Sequence, residues 1–276
     1  MITGSTRLIA HLGHPTDGFK APMIYNPYFE MRGIDAVVVP MGCGADFYPD
    51  FFRLLFKLSN IHGALITMPH KMSTVSLLDE VSVNVRIAGS CNAVMRRTGG
   101  RLVGDTFDGE GFVRAILRKG RELKGARALV LGCGGVGSAI AASLAKAGVA
   151  GMVLYDSRPQ AMTSLAERLR AHYPVLKIST DSRDPAGRDL VVNATPLGTN
   201  AGDPLPGDVA RITPSSFVGD VVMTQSVTPF LAAARERGCQ TQDGLDMLFE
   251  QIPLYLEFFG FPTTSVDELR KISAFK

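Results

Sequence analysis

The sequence has little of what defines several large classes of protein. Four cysteines occur in 276 residues, with neither a C-x-x-C pair nor a zinc-ligand spacing, so no disulfide framework and no metal site is indicated. A net charge of +3 is too small and too dispersed to indicate nucleic-acid binding. No run of about 18 apolar residues is present, so we expect no helical membrane span. Internal repeats and low-complexity tracts are absent as well.

These absences favour a globular protein of the reduced cytosol. Hydrophobic residues make up 46% of the chain, and the first residues show no basic segment followed by an apolar one. We therefore predict a cytoplasmic protein without a membrane partner. A length of 276 residues is long for one core and suits two domains.

The strongest local pattern runs from residue 126 to residue 156 and predicts a strand, a glycine turn, a helix and a second strand. Ala128–Leu131 is a short apolar run typical of a buried parallel strand. Glycines follow at G-x-G-x-x-G spacing, and an alanine-rich helix then extends to Gly148. Such a turn lets backbone N–H groups and the helix N-terminus approach a pyrophosphate. The residues predicted to bind the cofactor here are Gly132, Gly134, Gly135, Val136 and Gly137.

An acidic residue follows where the dinucleotide pattern places its ribose-binding carboxylate. Asp156 ends the second strand, Met152–Tyr155, and would accept hydrogen bonds from the adenosine ribose hydroxyls. A carboxylate there repels a 2′-phosphate, which favours NAD, although Arg158 could stack on adenine or accommodate that phosphate. We therefore predict that NAD is the preferred cofactor and that NADP is also usable.

The first hundred residues predict another alternation of strands and helices. The predicted elements are strands at 7–12, 35–40 and 63–67 and helices at 22–31 and 51–60. The third strand ends at Pro69-His70-Lys71, and a further helix is predicted behind that turn. In open α/β sheets, charged groups at the carboxyl end of a parallel strand face the crevice where ligands bind. A loop from residue 86 and a hairpin with its turn at 98–100 follow.

The second half of the chain predicts the remainder of a doubly wound sheet. The predicted elements are helices at 108–120, 161–172 and 229–238, strands at 175–178, 190–193 and 217–223, and an apolar helix at 244–260. The predicted fold is α/β with two domains. A Rossmann-type doubly wound parallel sheet for the dinucleotide covers residues 108–241. An α/β substrate domain combines residues 1–107 with the C-terminal helices of 242–276.

Several motifs stand in a characteristic order and spacing. They are Thr67-Met68-Pro69-His70-Lys71, Ala88-Gly89-Ser90-Cys91-Asn92-Ala93, Gly104-Asp105-Thr106-Phe107-Asp108-Gly109, Asn193-Ala194-Thr195-Pro196-Leu197-Gly198, Thr228-Pro229 and residues 244–251. With them the whole chain resembles the shikimate/quinate dehydrogenase family. The resemblance implies NAD(P)-dependent interconversion of a ring secondary alcohol and a ketone, of the shikimate or quinate type, in aromatic amino acid biosynthesis. It also implies a small hydroxylated ring acid as substrate, and we expect a monomer or homodimer.

The resemblance carries a catalytic lysine and aspartate to Lys71 and Asp108. Oxidation of an alcohol moves a hydride to nicotinamide and a proton to a base, so an acid/base pair suits this reaction. Taken alone, these residues would be an exposed lysine after a turn and a helix-capping aspartate. The resemblance further implies substrate hydrogen bonds from Thr67, Asn92 and Gln251, and a nicotinamide-side wall of Thr195, Val221 and Gly244.

The chain departs from the family pattern where the substrate would bind. The family's S-x-S-P motif, whose two hydroxyls bind the substrate carboxylate, is Phe19-Lys20-Ala21-Pro22 here. Each charged hydrogen bond lost would cost about 1.5 to 3 kcal/mol, roughly tenfold to a hundredfold in affinity. Other replaced positions are Thr106, Phe107, Met223 and Gln225, and the candidate replacement donors are His14, Thr16 and Lys20. We therefore predict retained chemistry on a shifted substrate, which would be a shikimate or quinate relative, an amino- or deoxy-analogue, or another polyhydroxylated ring.

Two alternatives compete with this enzyme. Methylenetetrahydrofolate dehydrogenases share the two-lobed layout and a lysine near the cleft, but they would not require Asn92, Asp108 and Gln251 together. A non-catalytic sensor of NAD or of a ring acid would suit the apolar replacements. Such a sensor has no need of an acid/base pair, so Lys71 and Asp108 favour the oxidoreductase.

Overall fold

The structure, a computed structural model, describes residues 2–180 and 182–274, and the chain divides into two compact units. Unit 1 extends to Val85, resumes over Ser90–Phe107 and takes in the chain from Gln251 onward. Unit 2 consists of Arg86–Gly89 and Asp108–Glu250. The chain thus passes from unit 1 to unit 2 between Phe107 and Asp108, and it returns to unit 1 at Gln251.

Unit 1 is built on a six-stranded mixed sheet in the order β2-β1-β3-β5-β6-β4. Its strands are β1 (Arg7–Gly13), β2 (Ala36–Gly42), β3 (Ile61–Ile66), β4 (Glu80–Val81), β5 (Ala93–Arg96) and β6 (Leu102–Asp105). Strands β1, β2 and β3 are parallel, whereas β5 is antiparallel to both β3 and β6. The predicted hairpin is confirmed as β5 and β6, and its turn contains Gly99 and Gly100 at positive φ. The parallel strands all end at the same edge of this sheet, where Thr67 and Lys71 follow β3.

The helices of the first hundred residues differ from the predicted ones in three places, one of them a short helix at 83–88 where a loop was predicted from residue 86. They are α1 (Pro22–Met31), α2 (Tyr48–Leu55) and α3 (Val83–Ala88). Helix α2 replaces the helix predicted at 51–60 and begins earlier because Pro49, in its first turn, suits a helix start. The helix predicted behind Lys71 is only a 3₁₀ segment, Ser73–Leu77. The hydroxyls of Ser73 and Thr74 donate to the His70 carbonyl, at 3.1 and 2.8 Å, and such bonds compete with helix formation.

Unit 2 contains a parallel six-stranded sheet in the order β12-β11-β10-β7-β8-β9. Its strands are β7 (Arg127–Leu131), β8 (Gly151–Tyr155), β9 (Lys177–Ser179), β10 (Leu190–Asn193), β11 (Phe217–Asp220) and β12 (Gln240–Gln242). Counted from β7, this is the strand order of the Rossmann fold, 6-5-4-1-2-3. The predicted doubly wound parallel sheet is therefore confirmed, with β12 as a strand that the sequence did not predict.

Helices cover both faces of the unit 2 sheet. They are α4 (Asp108–Arg118), α5 (Gly135–Lys146), α6 (Pro159–His172) and α7 (Pro229–Glu236). Alternate residues of β7 enter two cores: Ala128 and Val130 pack with α4, α5 and α6, whereas Leu129 and Leu131 pack with α7. Helix α8 (Gly244–Phe258) contributes its first residues to unit 2 and the rest to unit 1, and α9 (Val266–Ile272) follows it.

The cysteines pack as small apolar side chains. All four are free thiols, and all four are buried. Burial raises the pKa of the Cys91 and Cys133 thiols to about 12, so both stay uncharged. No helix in the described parts of the chain has the length and apolar character needed to cross a membrane.

Helices α4 and α5 approach each other at a glycine next to Asp108. A Cβ atom on Gly109 would lie 1.9 Å from the carbonyl oxygen of Ala139 and 2.5 Å from Oγ of Ser143. Both distances are far below van der Waals contact, so only glycine fits between the helices. This contact fixes the start of α4, and with it Asp108, against α5.

Gly109→Ala should therefore destabilise the protein, although alanine is the better helix former by about 1 kcal/mol. We expect the free energy of unfolding to fall by about 1–3 kcal/mol, because the helices must separate to admit the methyl group. Urea denaturation followed by circular dichroism measures this change. Gly4→Ala is the matched control, since nothing lies within 4 Å of its Cβ position. Equal effects of the two substitutions would contradict close packing at Gly109.

Candidate active site

The glycine turn of unit 2 is tightly packed on one side and open on the other. Gly132 has φ 101°, and a Cβ atom there would lie 2.6 Å from the carbonyl oxygen of Ala194. A Cβ atom on Gly137 would lie 1.9 Å from the Gly132 carbonyl oxygen. At Gly134, in contrast, the nearest atom is a guanidinium nitrogen of Arg158 at 3.9 Å. The turn therefore leaves room on its outer side for a ligand to approach the backbone.

The turn opens α5 in the way that a pyrophosphate site requires. Gly134 is the N-cap residue and makes no side-chain capping bond, and Gly135, Val136 and Gly137 form the first turn. Backbone N–H groups and the helix dipole favour an anion at such an N-terminus. The residues of this turn thus fit the pyrophosphate of a dinucleotide.

Asp156 binds the glycine turn and Arg158 together. Its carboxylate accepts hydrogen bonds from the backbone N–H groups of Cys133 at 2.8 Å and Arg158 at 2.9 Å. The Arg158 guanidinium donates to both carboxylate oxygens, at 3.0 and 3.1 Å. Burial raises the pKa of Asp156, but these hydrogen bonds outweigh burial and hold the pKa below its ordinary value. The carboxylate is therefore charged, with 8% of its side chain exposed, whereas 65% of the Arg158 side chain is exposed.

A buried asparagine shapes the loop after β10. The Asn193 amide donates to Asp220 and to the Leu197 carbonyl, each at 3.0 Å. Its amide oxygen accepts from the N–H of Thr195 at 3.1 Å and from the Thr195 hydroxyl at 2.6 Å. The Thr228 hydroxyl donates to the second oxygen of Asp220 at 2.7 Å. Thr195 is thus held by this network.

Three residues predicted to lie on the nicotinamide side are close together in unit 2. The N–H of Val221 donates to the Asn193 carbonyl at 3.1 Å, next to the Thr195 loop. A Cβ atom on Gly244 would lie 2.6 Å from the Val221 carbonyl oxygen and 2.7 Å from Cγ of Met223. The start of α8 therefore packs directly on the segment after β11, and glycine is required for that contact.

On the unit 1 side, Asn92 joins several segments. Its carbonyl accepts from the N–H of Ile66 at 2.8 Å, and its N–H donates to the Asp105 carbonyl at 3.0 Å. Its amide oxygen accepts from the N–H of Phe107 at 3.0 Å, and the Tyr255 hydroxyl donates to its carbonyl at 3.4 Å. The amide nitrogen is buried and has no hydrogen-bond partner among the described residues. Asn92 is therefore fixed in place with an unused donor.

The turn that carries Lys71 is anchored at both ends. The N–H of Thr67 donates to the Leu12 carbonyl at 2.8 Å, and the carbonyl of Lys71 accepts from the N–H of Cys91 at 2.8 Å. Between them, the buried His70 ring stacks on Tyr48 at a centroid distance of 3.7 Å. Burial lowers the pKa of His70, so the ring is an uncharged anchor for the half-buried Lys71.

The remaining predicted site residues are Gln251 and Asp108. Gln251 is 4% exposed, lies on α8 and belongs to unit 1, as Thr67, Lys71 and Asn92 do. Asp108 is 3% exposed, is the first residue of α4 and belongs to unit 2. It directly follows Phe107, whose N–H is bound by Asn92.

The replaced S-x-S-P segment packs against a residue that the sequence did not single out. The Phe19 ring stacks on His11 of β1, with centroids 4.1 Å apart and planes at 28°. Nδ1 of His11 is buried without a hydrogen-bond partner, and Ala21 is buried as well. The one available signal was a polar histidine inside the apolar strand Arg7–Gly13. At the other replaced positions, the Gln225 amide donates to the Gly198 carbonyl at 2.9 Å, and the hydroxyl oxygen of Thr106 is buried without a partner.

Comparisons with known proteins agree with this geometry. A family model described as the shikimate dehydrogenase substrate binding domain matches residues 12–94. The shikimate dehydrogenase (NADP(+)) of Rhodospirillum rubrum is 32% identical over 277 residues, covering 98% of each chain. The chain belongs to the shikimate/quinate dehydrogenase family. The predicted family is thereby confirmed, and with it an enzyme of the NAD(P)-dependent alcohol dehydrogenase type.

Solved structures of the shikimate/quinate dehydrogenase type share the fold along the whole chain. The shikimate 5-dehydrogenase of Listeria monocytogenes, in complex with shikimate and NAD, is 26% identical with a TM-score of 0.87, covering 98% of this chain and 97% of its own. The 5-ketofructose reductase of Gluconobacter sp. strain CHM43 is 25% identical with a TM-score of 0.85, covering 98% of each chain. The predicted two-domain α/β fold is confirmed by these similarities.

Thr228→Val should weaken the network behind the Thr195 loop. Burial raises the pKa of Asp220 above 3.8, and the Thr228 hydroxyl is one of the donors that oppose this rise. The hydroxyl also caps α7 by accepting from the N–H of Leu231. Loss of both bonds should lower the free energy of unfolding by about 2–4 kcal/mol.

The pH dependence of this loss has a definite sign. A carboxyl whose folded pKa exceeds 3.8 costs stability as pH rises from 3.8 to the folded value. Thr228→Val raises the folded pKa further, so the loss should be larger at pH 7 than at pH 4, measured by urea denaturation. Thr263→Val, whose exposed hydroxyl makes a 3.4 Å bond, is the control and should change stability by less than about 0.5 kcal/mol. A loss independent of pH would remove Asp220 from the explanation.

Proposed function

We propose that the chain interconverts a secondary alcohol and a ketone on a hydroxylated ring of the shikimate or quinate type, with Lys71 and Asp108 as the acid/base pair. Unit 1 would bind the substrate, and unit 2 would bind the nicotinamide dinucleotide. The relatives named shikimate dehydrogenase support the ring substrate. The glycine turn and α5 support the dinucleotide.

The observation that carries the proposal is the unused donor of Asn92. Its amide nitrogen is buried without a partner, while its oxygen and backbone are bound to neighbouring segments. A buried donor without an acceptor is costly, so such a group is retained where a ligand oxygen satisfies it. The segment that Asn92 binds is the one that leads directly into Asp108. A substrate hydroxyl bound by this amide would therefore lie beside the residue proposed to take part in proton transfer.

Lys71 would hold or release the proton of the reacting oxygen. A bound nicotinamide would exchange the hydride with the carbon that carries that oxygen. The Lys71 ammonium would donate a proton to the ketone oxygen in reduction, and its neutral amine form would accept a proton from the alcohol in oxidation. The Asp108 carboxylate would orient the ammonium and stabilise its charge. Thr67 and Gln251 would hydrogen-bond the ring hydroxyls that do not react.

We further propose that NAD is the preferred dinucleotide. The Asp156 carboxylate is charged and fixed by the Cys133 N–H, and a 2′-phosphate would be repelled from it. Two facts oppose this preference: the relatives are named for NADP(+), and the exposed Arg158 could bind a phosphate. NADP is therefore retained as a second cofactor.

The packing of Phe19 on His11 favours a ring substrate other than shikimate itself as the second candidate. Neither Phe19 nor Ala21 can donate a hydrogen bond from its side chain to a carboxylate. An analogue without the usual carboxylate contacts would suit this segment. A fold of this kind also serves a 5-ketofructose reductase, so the family resemblance alone does not require a ring acid.

Initial rates of NAD and NADP reduction with shikimate, quinate and related ring alcohols test the proposed activity. We expect turnover of at least one of these compounds. Lys71→Ala should lower kcat by roughly 10²- to 10⁴-fold because the proton-transfer group is lost. Lys57→Ala, at an exposed position beyond α2, is the matched control and should retain the wild-type rate.

Two outcomes would contradict this account. An increase in KM without a change in kcat for Lys71→Ala would assign the lysine to substrate binding alone. Tight binding of a ring compound without any turnover would favour a sensor.

Asp156→Ser should shift the cofactor preference toward NADP. The substitution removes the repelling carboxylate and releases the Arg158 guanidinium to pair with a 2′-phosphate. We expect the ratio of kcat/KM for NADP to that for NAD to rise by roughly 10- to 100-fold. Asp46→Ser, at an exposed aspartate of unit 1, serves as the control. An unchanged ratio would show that Asp156 does not lie beside the ribose.

A further inference from the structure

Buried polar atoms without hydrogen-bond partners are concentrated in unit 1. Among the described residues there are six such side-chain atoms, and four of them belong to this unit. They are Nδ1 of His11, the hydroxyl of Tyr25, Nδ2 of Asn92 and Oγ1 of Thr106. Such groups are costly to bury unpaired, so their concentration in one unit indicates a polar ligand there. The four groups are an imidazole, a phenol, an amide and a hydroxyl, which suits recognition of hydroxyl and carbonyl oxygens.

His11 is the least expected of the four. It lies inside β1 with 8% of its surface exposed, and its ring is stacked on Phe19. Burial and, to a smaller extent, the positive charge of Lys71 together lower the pKa of His11 to about 3. The imidazole is therefore uncharged at neutral pH, with one donor and one acceptor nitrogen.

The sheet register places His11 in line with the Asn92 segment. His11 pairs with Leu65 of β3, Leu65 pairs with Ala93 of β5, and Ala93 pairs with Asp105 of β6. Asn92 immediately precedes Ala93, and Thr106 follows Asp105. With neighbouring strands about 4.8 Å apart, two strand spacings put His11 roughly 10 Å from Ala93 along the sheet. A six-membered ring with its hydroxyls spans a distance of this order.

The His11–Phe19 pair, defined by these two stacked rings, also borders the segment that leads to Lys71. A Cβ atom on Gly13 would lie 2.4 Å from Cγ2 of Thr67 and 2.8 Å from Cζ of Phe19. Phe19 therefore packs close to Thr67, which the proposed function assigns to substrate binding. The positive charge of Lys71 also contributes to the lowered pKa of His11.

A carboxylate beside the His11–Phe19 pair would be poorly matched. The aromatic ring faces an anion with its negative π surface, and the uncharged imidazole supplies one N–H at most. The proposed function already assigns the Asp108 carboxylate to Lys71, so a substrate carboxylate at this place would have to compete with Asp108 for the ammonium. A hydroxyl can donate to and accept from the imidazole without this conflict.

We propose that His11, held by Phe19, is a specificity-determining residue that hydrogen-bonds a substrate hydroxyl, so that the enzyme acts on an uncharged polyhydroxylated ring alcohol or ketone in preference to a ring acid. This inference rests on the proposed function and names its substrate class. The residue contacts the substrate at an oxygen that does not react, while Lys71 serves the reacting oxygen.

Two compounds that differ at one group test this proposal. They are shikimate and its counterpart with a hydroxymethyl group in place of the carboxylate. NAD-linked oxidation of both by the wild-type protein gives two values of kcat/KM. We expect the uncharged compound to be favoured by at least about 10-fold, which corresponds to one well-placed hydrogen bond. A preference for shikimate would overturn the proposal.

Variants then separate hydrogen bonding from packing. His11→Val suits a buried strand but removes the ring nitrogens, and it should lower kcat/KM for the uncharged compound by about 10- to 100-fold. His11→Asn keeps a polar group near the position of Nδ1 and should restore part of that loss. Phe19→Ser combined with Ala21→Ser should move the preference toward shikimate. His172→Asn, at an exposed position on α6, is the matched histidine control.

The outcome is decided by the ratio of kcat/KM for the two compounds and by how each substitution changes that ratio. Equal losses for both compounds in His11→Val, without rescue by His11→Asn, would assign His11 to packing and overturn the proposal. If neither compound is turned over, the proposed function fails, and calorimetric Kd values for the same two compounds decide the specificity separately. Tighter binding of the uncharged compound, lost in His11→Val, would support the proposal. Equal binding, tighter binding of shikimate or no binding would overturn it.

Discussion

The unit 1 half of the candidate site depends on the hydrogen bonds of one buried asparagine. Asn92 is bound through its backbone to the end of β3 and to Asp105, and through its side chain to the N–H of Phe107. These bonds join Asn92 to two other segments, the end of β3 and residues 105–107, and the second of these leads into Asp108. Because the same residue keeps an unpaired amide nitrogen, the geometry that stabilises the fold also presents a donor for a ligand. The side chain that joins these segments thus also carries the donor that we propose to bind the substrate.

The parts of the protein that could be predicted are those set by local chemistry. Glycine spacing predicted the turn, because Gly132 and Gly137 occupy positions where a Cβ atom would meet backbone atoms. A continuous apolar run predicted a buried strand of the Rossmann sheet, because residues on both faces of β7 enter a core. The family resemblance identified Asn92, Thr195 and Gly244 as site residues. The structure shows each of them in contact with neighbouring segments of its own unit. The catalytic roles of Lys71 and Asp108 stay a prediction, since they belong to different units.

What could not be predicted depends on competition between tertiary and local interactions. The helix expected behind Lys71 is reduced to a 3₁₀ segment because the hydroxyls of Ser73 and Thr74 bind the backbone. The sequence of α8 shows one continuous apolar pattern. No local feature of that pattern therefore marks residue 251, where the helix changes from unit 2 to unit 1. Ion pairs from Arg118, the last residue of α4, to Glu250 and from the following Lys119 to Asp246 instead bind its first half to unit 2.

The two units differ in the charge around their candidate binding residues, and they therefore suit ligands of different charge. In unit 2, the glycine turn, the N-terminus of α5 and the exposed Arg158 favour the negative charges of a dinucleotide. In unit 1, the unsatisfied groups are uncharged, and Lys71 is the cation whose field reaches His11. If Lys71 and Asp108 form the proposed acid/base pair, Asp108 supplies the carboxylate that the pair needs, so proton transfer does not require an anionic substrate. The replacement of serines by Phe19 and Ala21 is therefore consistent with retained proton transfer, because it removes hydrogen bonds to a carboxylate without altering the turn that holds Lys71.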